Sequence, residues 1–235
     1  MSITVYWACL ENEWMRATEP ESVSKRFYKN KKITSKDKNN LNALNYCPVF
    51  NNRISNLYAI KSIYDYSFEI KDNTCISNMY DQNFFDSHIS IRSLENKFFS
   101  FMNKYIFFTD EKSLEMGAYE YPVFEENEIT KKCMIIPGRY DIGKWFRPLE
   151  FPFILKNEFN DFSVKSEDVL YYLKFYTNEN IVFKQFLPTN NIEHFWKSAT
   201  NLNNYSVKKL DNINNFYKMF KIKDKILKEI KENLI

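Results

Sequence analysis

Val169-Leu-Tyr-Tyr-Leu-Lys-Phe-Tyr176, Thr177-Asn-Glu-Asn180 and Ile181-Val-Phe-Lys-Gln-Phe186 follow one another without a break in this 235-residue chain. The outer two runs consist largely of β-branched and aromatic residues, which suit a pleated, half-buried surface, and four polar residues join them. The arrangement predicts two strands connected as a hairpin through a short turn. Outward from it, apolar and polar positions alternate over short runs punctuated by Asn, Asp and Pro. Further strands are expected over 3–9, 57–60, 66–70, 88–92, 105–109, 133–136 and 151–155, beside 170–176 and 181–186. Many short strands with turn-rich joints point to a mainly β body (α+β overall) over 1–188, of β-sandwich or jelly-roll-like form.

Composition agrees with a packed interior. Aromatics make up 18% of the chain, with 22 Phe and 16 Tyr, and such side chains favour burial over solvated coil. Net charge is only +3, from 33 basic against 30 acidic residues, so no global field draws in a polyanion. The start, Met1-Ser-Ile-Thr-Val-Tyr-Trp-Ala-Cys-Leu10, reads as a strand and lacks the pattern of a signal peptide. No apolar run reaches the roughly 18 residues of a membrane span. Cys9, Cys47, Cys75 and Cys133 are widely spaced among apolar neighbours, the pattern of reduced structural thiols.

Two segments depart from the β texture. The stretch 24–40 is polar and lysine-rich, which predicts a solvated surface insertion; its Lys25, Arg26, Lys29, Lys31 and Lys32 are the candidate contacts to nucleic acid. From 189 onward the pattern is helical, with a short helix starting near Asn190 and apolar Leu210, Ile213, Tyr217, Phe220, Leu227, Ile230 and Leu234 at helical spacing. This predicts a C-terminal helical appendage over 189–235, packed on the body.

The chain has three glycines, and two of them punctuate Pro137-Gly138-Arg139-Tyr140-Asp141-Ile142-Gly143-Lys144-Trp145-Phe146-Arg147-Pro148. Glycine this scarce is expected where the backbone needs positive φ or close approach, so the loop should have a specific shape. It is not a phosphate loop, because Trp145 stands where a hydroxyl would hold magnesium. Arg139, Asp141, Lys144, Trp145 and Arg147 form the candidate binding site: they suit a carboxylate or phosphate beside a planar group, or a protein hot spot. The bland reading is an Arg147 ion pair to Asp141 or Glu150 that pins a turn.

Catalytic candidates are few, since His88 and His194 are the two histidines. A non-haem Fe(II) site would have to combine them with a carboxylate such as Asp86, and Asp86-Ser-His88 reverses the His-x-Asp order of jelly-roll oxygenases. No metal or cofactor is expected on the leading reading.

Ile3-Thr-Val-Tyr-Trp-Ala-Cys-Leu10, Cys47-Pro-Val-Phe-Asn-Asn52, Asn56-Leu-Tyr-Ala-Ile-Lys-Ser-Ile-Tyr-Asp-Tyr66, Tyr105-Ile-Phe-Phe-Thr-Asp110 and the 137–148 loop resemble a family of uncharacterised proteins encoded by marine tailed phages of the cyanophage and pelagiphage type. The resemblance covers most of the chain up to Phe186, and it implies a phage origin and a setting in the host cytoplasm or the virion. The residues then favour a noncatalytic binding or structural module that contacts a protein partner or itself. The alternative is a jelly-roll-type enzyme using non-haem iron.

Overall fold

The computed structural model describes residues 2–10, 15–30, 47–102, 104–119, 127–204 and 221–235. In chain order the first elements are β1 (Ser2–Cys9), β2 (Glu21–Ser22), α1 (Val23–Asn30), α2 (Pro48–Ile54), β3 (Leu57–Lys61), β4 (Tyr66–Lys71), β5 (Thr74–Ser77), α3 (Gln82–His88), β6 (Ile89–Ser93), β7 (Phe98–Phe101) and β8 (Tyr105–Phe108). They are followed by β9 (Glu115–Tyr119), α4 (Glu128–Lys132), β10 (Cys133–Ile135), β11 (Arg139–Asp141), β12 (Phe151–Leu155), β13 (Asp161–Val164), β14 (Val169–Phe175), β15 (Asn180–Gln185), α5 (Asn190–Asn204) and α6 (Ile222–Glu232). The class is mainly β, with strands in four sheets ordered β15-β1-β8, β10-β12-β7-β6, β11-β9-β14-β3-β2 and β13-β4-β5.

The expected strands are all present within a few residues, but the expected hairpin is not. Both edges of β14 are occupied, by β3 and by β9, each antiparallel. Strand β15 instead lies parallel to β1, with Ile3 opposite Ile181 and Val5 opposite Phe183. The four polar residues between them therefore carry the chain from one sheet to the one facing it, where Phe175 and Phe183 meet with ring centroids 5.7 Å apart. The physical reason lies in burial. All seven residues of β14 are buried, as in a central strand covered on both faces, whereas β15 alternates exposed with half-buried positions and runs along an edge. The side chain of Asn56 fixes the crossing by donating to the carbonyls of Thr177 (2.8 Å) and Glu179 (2.9 Å).

Layering explains why β1 and β8 are apolar at successive positions. Val5, Trp7, Cys9, Tyr105 and Phe107 face inward to the five-stranded sheet and the main core. Tyr6, Ala8, Leu10, Ile106 and Phe108 face outward and are covered by Phe146, Ile192 of α5 and Ile226 and Ile230 of α6. Across the five-stranded sheet, Val23 and Phe27 of α1 and Ile54 of α2 cover Leu57, Ala59 and Tyr172. A sandwich of sheets thus carries helices on two outer faces. Aromatic stacking ties the remaining sheets in: Phe151 lies 3.7 Å from Tyr171 centroid to centroid, and Phe68 stacks on Phe162 at 5.3 Å.

Several elements correct the sequence reading. The lysine-rich stretch opens as α1, whose Val23 and Phe27, four residues apart, form one buried helical stripe; it is a covering element and not a solvated insertion over these residues. Residues 31–46, with Lys31 and Lys32, lie outside the described residues. His88 ends α3 instead of starting a strand, because Asp81 caps that helix by accepting from the Phe84 amide. Strand β5 follows the two-residue turn Asp72-Asn73, both at positive φ, a hairpin signal that the alternation pattern alone passes over. Within the described part of the tail, α6 buries Ile226 and Ile230, and Leu234 bridges to Phe186. Leu210, Ile213, Tyr217 and Phe220 of the expected helix lie outside the described residues. Among the described residues no helix is long and apolar enough to cross a membrane.

Burial also orders the thiols. It pushes Cys75 and Cys133 up to about 12, with the Asp86 charge adding to the effect at Cys75. Cys9 is fully buried and Cys47 is not. Because the thiolate is the reactive form, titration of the native protein with a thiol-specific disulfide reagent at pH 8 is expected to modify Cys47 fast and the other three only on unfolding. Fast labelling of more than one thiol would contradict this packing.

Candidate functional site

The loop 137–148 is built around Asp141. Its carboxylate accepts from the amides of Leu114 and Gly143, both at 2.9 Å, and from the Ser113 hydroxyl at 2.6 Å, and it pairs with Lys144 at 2.6 Å. The Asp141 carbonyl also accepts from the amide of Trp145 at 2.9 Å, which closes the turn. Burial by itself would raise the Asp141 carboxyl, but these partners outweigh it and hold the group below its ordinary 3.8. The folded-state pKa being depressed, Asp141 contributes stability above about pH 4 that is lost as pH falls through its lower folded value. Asp141→Asn is expected to lower stability at pH 7 by about 2 kcal/mol and to flatten the loss below pH 4, measured by urea denaturation across pH. An unchanged acid limb would contradict the role.

The glycines divide differently from expectation. No glycine has positive φ. At Gly143 an added Cβ would stand 2.7 Å from the Glu111 carbonyl oxygen, so close approach accounts for it. Lys223 of α6 reinforces the spot by donating to the Gly143 carbonyl (2.9 Å) and to that of Glu111. At Gly138 an added Cβ would meet nothing within 4 Å. The third glycine, Gly117 on β9, is the one the loop requires, because its Cβ would collide with the Gly138 carbonyl oxygen on the neighbouring strand.

Beyond the turn the chain sends its aromatics to opposite sides. Phe146 is fully buried against Phe108, with centroids 5.1 Å apart. Trp145 turns the other way, edge-on to Tyr140 at 5.7 Å, and Arg147 lies over its ring at 5.2 Å. Together with Leu149, Phe151 and Leu173 these residues line a cleft of about 270 Å³. The Tyr140 hydroxyl and Trp145 Nε1 are sealed from solvent without a hydrogen-bond partner among the described residues. Burial accordingly pushes the Tyr140 hydroxyl far up, against a smaller opposing effect of Arg147. At the rim Arg147 donates to Glu150 at 2.9 Å, and the second oxygen of Glu150 is held by Arg92.

Of the five candidate residues, the structure brings Arg139, Trp145 and Arg147 together on the cleft, while Asp141 and Lys144 pin the turn outside it. The ion pair anticipated as the bland reading exists between Arg147 and Glu150. A second cavity of about 390 Å³ adjoins the first and shares Ala118, Pro137, Gly138 and Arg139 with it. There Arg139 stacks on Tyr176 at 3.9 Å and Arg53 lies over Tyr119 at 5.8 Å. Sequence reasoning missed Arg53, Tyr119 and Tyr176, which belong to other elements and reach this place only through the pairing of β14 with β9. Gly117 was within reach, since the scarcity argument applies to it as much as to the two loop glycines.

The other candidates do not converge. His88 is buried among Tyr64, Tyr66 and Phe84, with Nδ1 2.8 Å from both the Ser87 hydroxyl and the Phe84 carbonyl. Asp86 accepts from the Gln82 side chain, and His194 is exposed on α5 over the opposite sheet face. Among the described residues no group of three His, Cys, Asp or Glu is close enough to hold a metal ion, so the proposed His88, Asp86 and His194 set is not assembled. Of the proposed basic cluster, Lys25 is exposed and Arg26 has a buried guanidinium nitrogen, while the Lys29 side chain, Lys31 and Lys32 lie outside the described residues. Lys25 lies beside a polar trough of about 1200 Å³ lined by Asn51, Asn52, Asn56 and Asn180.

Comparison with protein-family models, with curated proteins and with solved structures finds no match to this chain.

Proposed function

We propose that the chain is a phage-encoded, noncatalytic β-rich module, a virion component or an accessory protein, that binds a host or phage protein or a second copy of itself through the Trp145 cleft. The observation that carries the reading is the lining of that cleft: aromatic and apolar walls, arginines at the rim, and no histidine, cysteine, serine or threonine among its described residues. Its carboxylate, Glu150, is engaged by two arginines. Trp, Tyr and Arg around a side-chain-sized hollow are the residues that dominate protein interfaces. The phage origin rests on the resemblance of the five quoted stretches. A photo-crosslinking amino acid placed at the exposed position 139 in infected cells tests the contact, with one at exposed Glu95 as control. A protein cross-linked from 139 and not from 95 is the expected result; equal or absent cross-linking from both would overturn it. Mass spectrometry of purified particles then separates a virion component from an accessory protein.

A further inference from the structure

Gly138 stands in a place that nothing among the described residues explains. An added Cβ would meet no atom within 4 Å, and φ is not positive, so neither sterics nor backbone conformation requires glycine there. Gly117 clears room for the Gly138 carbonyl, but that accounts for Gly117. In a chain with three glycines, a bare Cα on the ridge between two cavities leaves the backbone open to close approach from outside.

The two cavities differ in chemistry. One is walled by Trp145, Leu149, Phe151 and Leu173, and at about 270 Å³ it sits below the usual range for small-molecule sites, which suits a single large side chain. The other presents the guanidinium groups of Arg53 and Arg139 against Tyr119 and Tyr176. Among the described residues Arg139 is opposed there by an exposed contact to Glu115 at 3.5 Å, a weak pair that an incoming carboxylate can replace. The strand that carries Arg139, β11, is the outermost of its sheet, so an extended segment can lie along it. Alternate side chains of such a segment point to the same side, roughly 6–7 Å apart.

We infer that the ridge at Gly138 receives an extended acidic peptide, which sets a large apolar side chain in the Trp145 cleft and a carboxylate, two residues away, on Arg139. The inference rests on the proposed function and supplies the chemistry of the partner. Peptide is favoured over nucleic acid because one hollow is apolar and the cations are few; a strand of phosphates would call for a longer basic track.

Selection of a displayed random dodecapeptide library on the immobilised full chain tests it, followed by fluorescence polarisation with the enriched peptides and with oligothymidylate. The expected consensus is Phe, Trp or Leu with Asp or Glu two positions away. Binding should fall about tenfold or more in Arg139→Ala and in Gly138→Leu, while thermal unfolding of both variants stays near that of the parent. An enriched consensus without an acid, whose binding still needs Gly138, would overturn the assigned chemistry and leave the cleft as a contact site. Peptides indifferent to Gly138→Leu, or no consensus at all, would overturn the ridge as a peptide site. Gly138-sensitive retention of oligothymidylate with no peptide consensus would assign the ridge to nucleic acid and overturn the protein-binding reading with it.

Discussion

Gly117→Ala is expected to destabilise the protein by about 3 kcal/mol and to lower its melting temperature by roughly 6–12 °C, whereas Gly138→Ala leaves both nearly unchanged. The two positions face each other across β9 and β11, with Gly117 opposite Arg139 in register and the Ala118 amide donating to the Gly138 carbonyl at 3.1 Å. A methyl group on Gly117 meets backbone atoms of the neighbouring strand, which cannot rotate away as a side chain would. Strand β11 must then separate from β9, and the Asp141 turn and the cleft wall go with it. A methyl group on Gly138 meets open space. Differential scanning calorimetry of both variants checks this, and equal melting temperatures would refute the packing described for the loop.

Lys174→Met is expected to cost about 3 kcal/mol, although it removes a cation that faces no carboxylate among the described residues. Lys174 is only 9% exposed, and its ammonium donates to the carbonyls of Asn52 (2.9 Å), Arg53 (3.2 Å) and Ser55. Those are carbonyls at and just beyond the last turn of α2, where orphan acceptors and the negative end of the helix dipole call for a cation. Methionine keeps much of the volume and leaves these acceptors without their charged donor. Hydrogen exchange is expected to show α2 and its junction with β3 opening first, while β1 and β8 keep the protection of the parent. Uniform loss of protection would contradict the local role.

The two largest expected effects concern residues of opposite legibility. Scarcity drew attention to Gly138 and Gly143 but not to Gly117, and ranking Gly117 above Gly138 required knowing which strands are neighbours. Lys174 carried no sequence signal at all, since a lysine between Leu173 and Phe175 looks like the exposed position of an alternating strand. The same run held a clue that was readable: Val169 to Phe175 is apolar almost throughout, the mark of a strand covered on both faces, whereas the occupation of both its edges by β3 and β9 was not. At the candidate site, residues adjacent in sequence separated into the turn pins Asp141 and Lys144 and the cleft residues Trp145 and Arg147, according to which side of the backbone each leaves.

What the sequence by itself determined is local: the positions of most strands, the mainly β class, the C-terminal helix and the turn that the 137–148 loop forms. Side-chain periodicity and glycine scarcity are properties of neighbouring residues, so they survive without knowledge of the fold. What only the tertiary structure decided is which strands pair and what lies opposite what: β15 on β1, α1 as a cover for a sheet, and Arg53, Tyr119 and Tyr176 gathered around Gly138. Those outcomes depend on contacts between residues far apart in the chain, and the burial that selects among them is a property of the whole packed body.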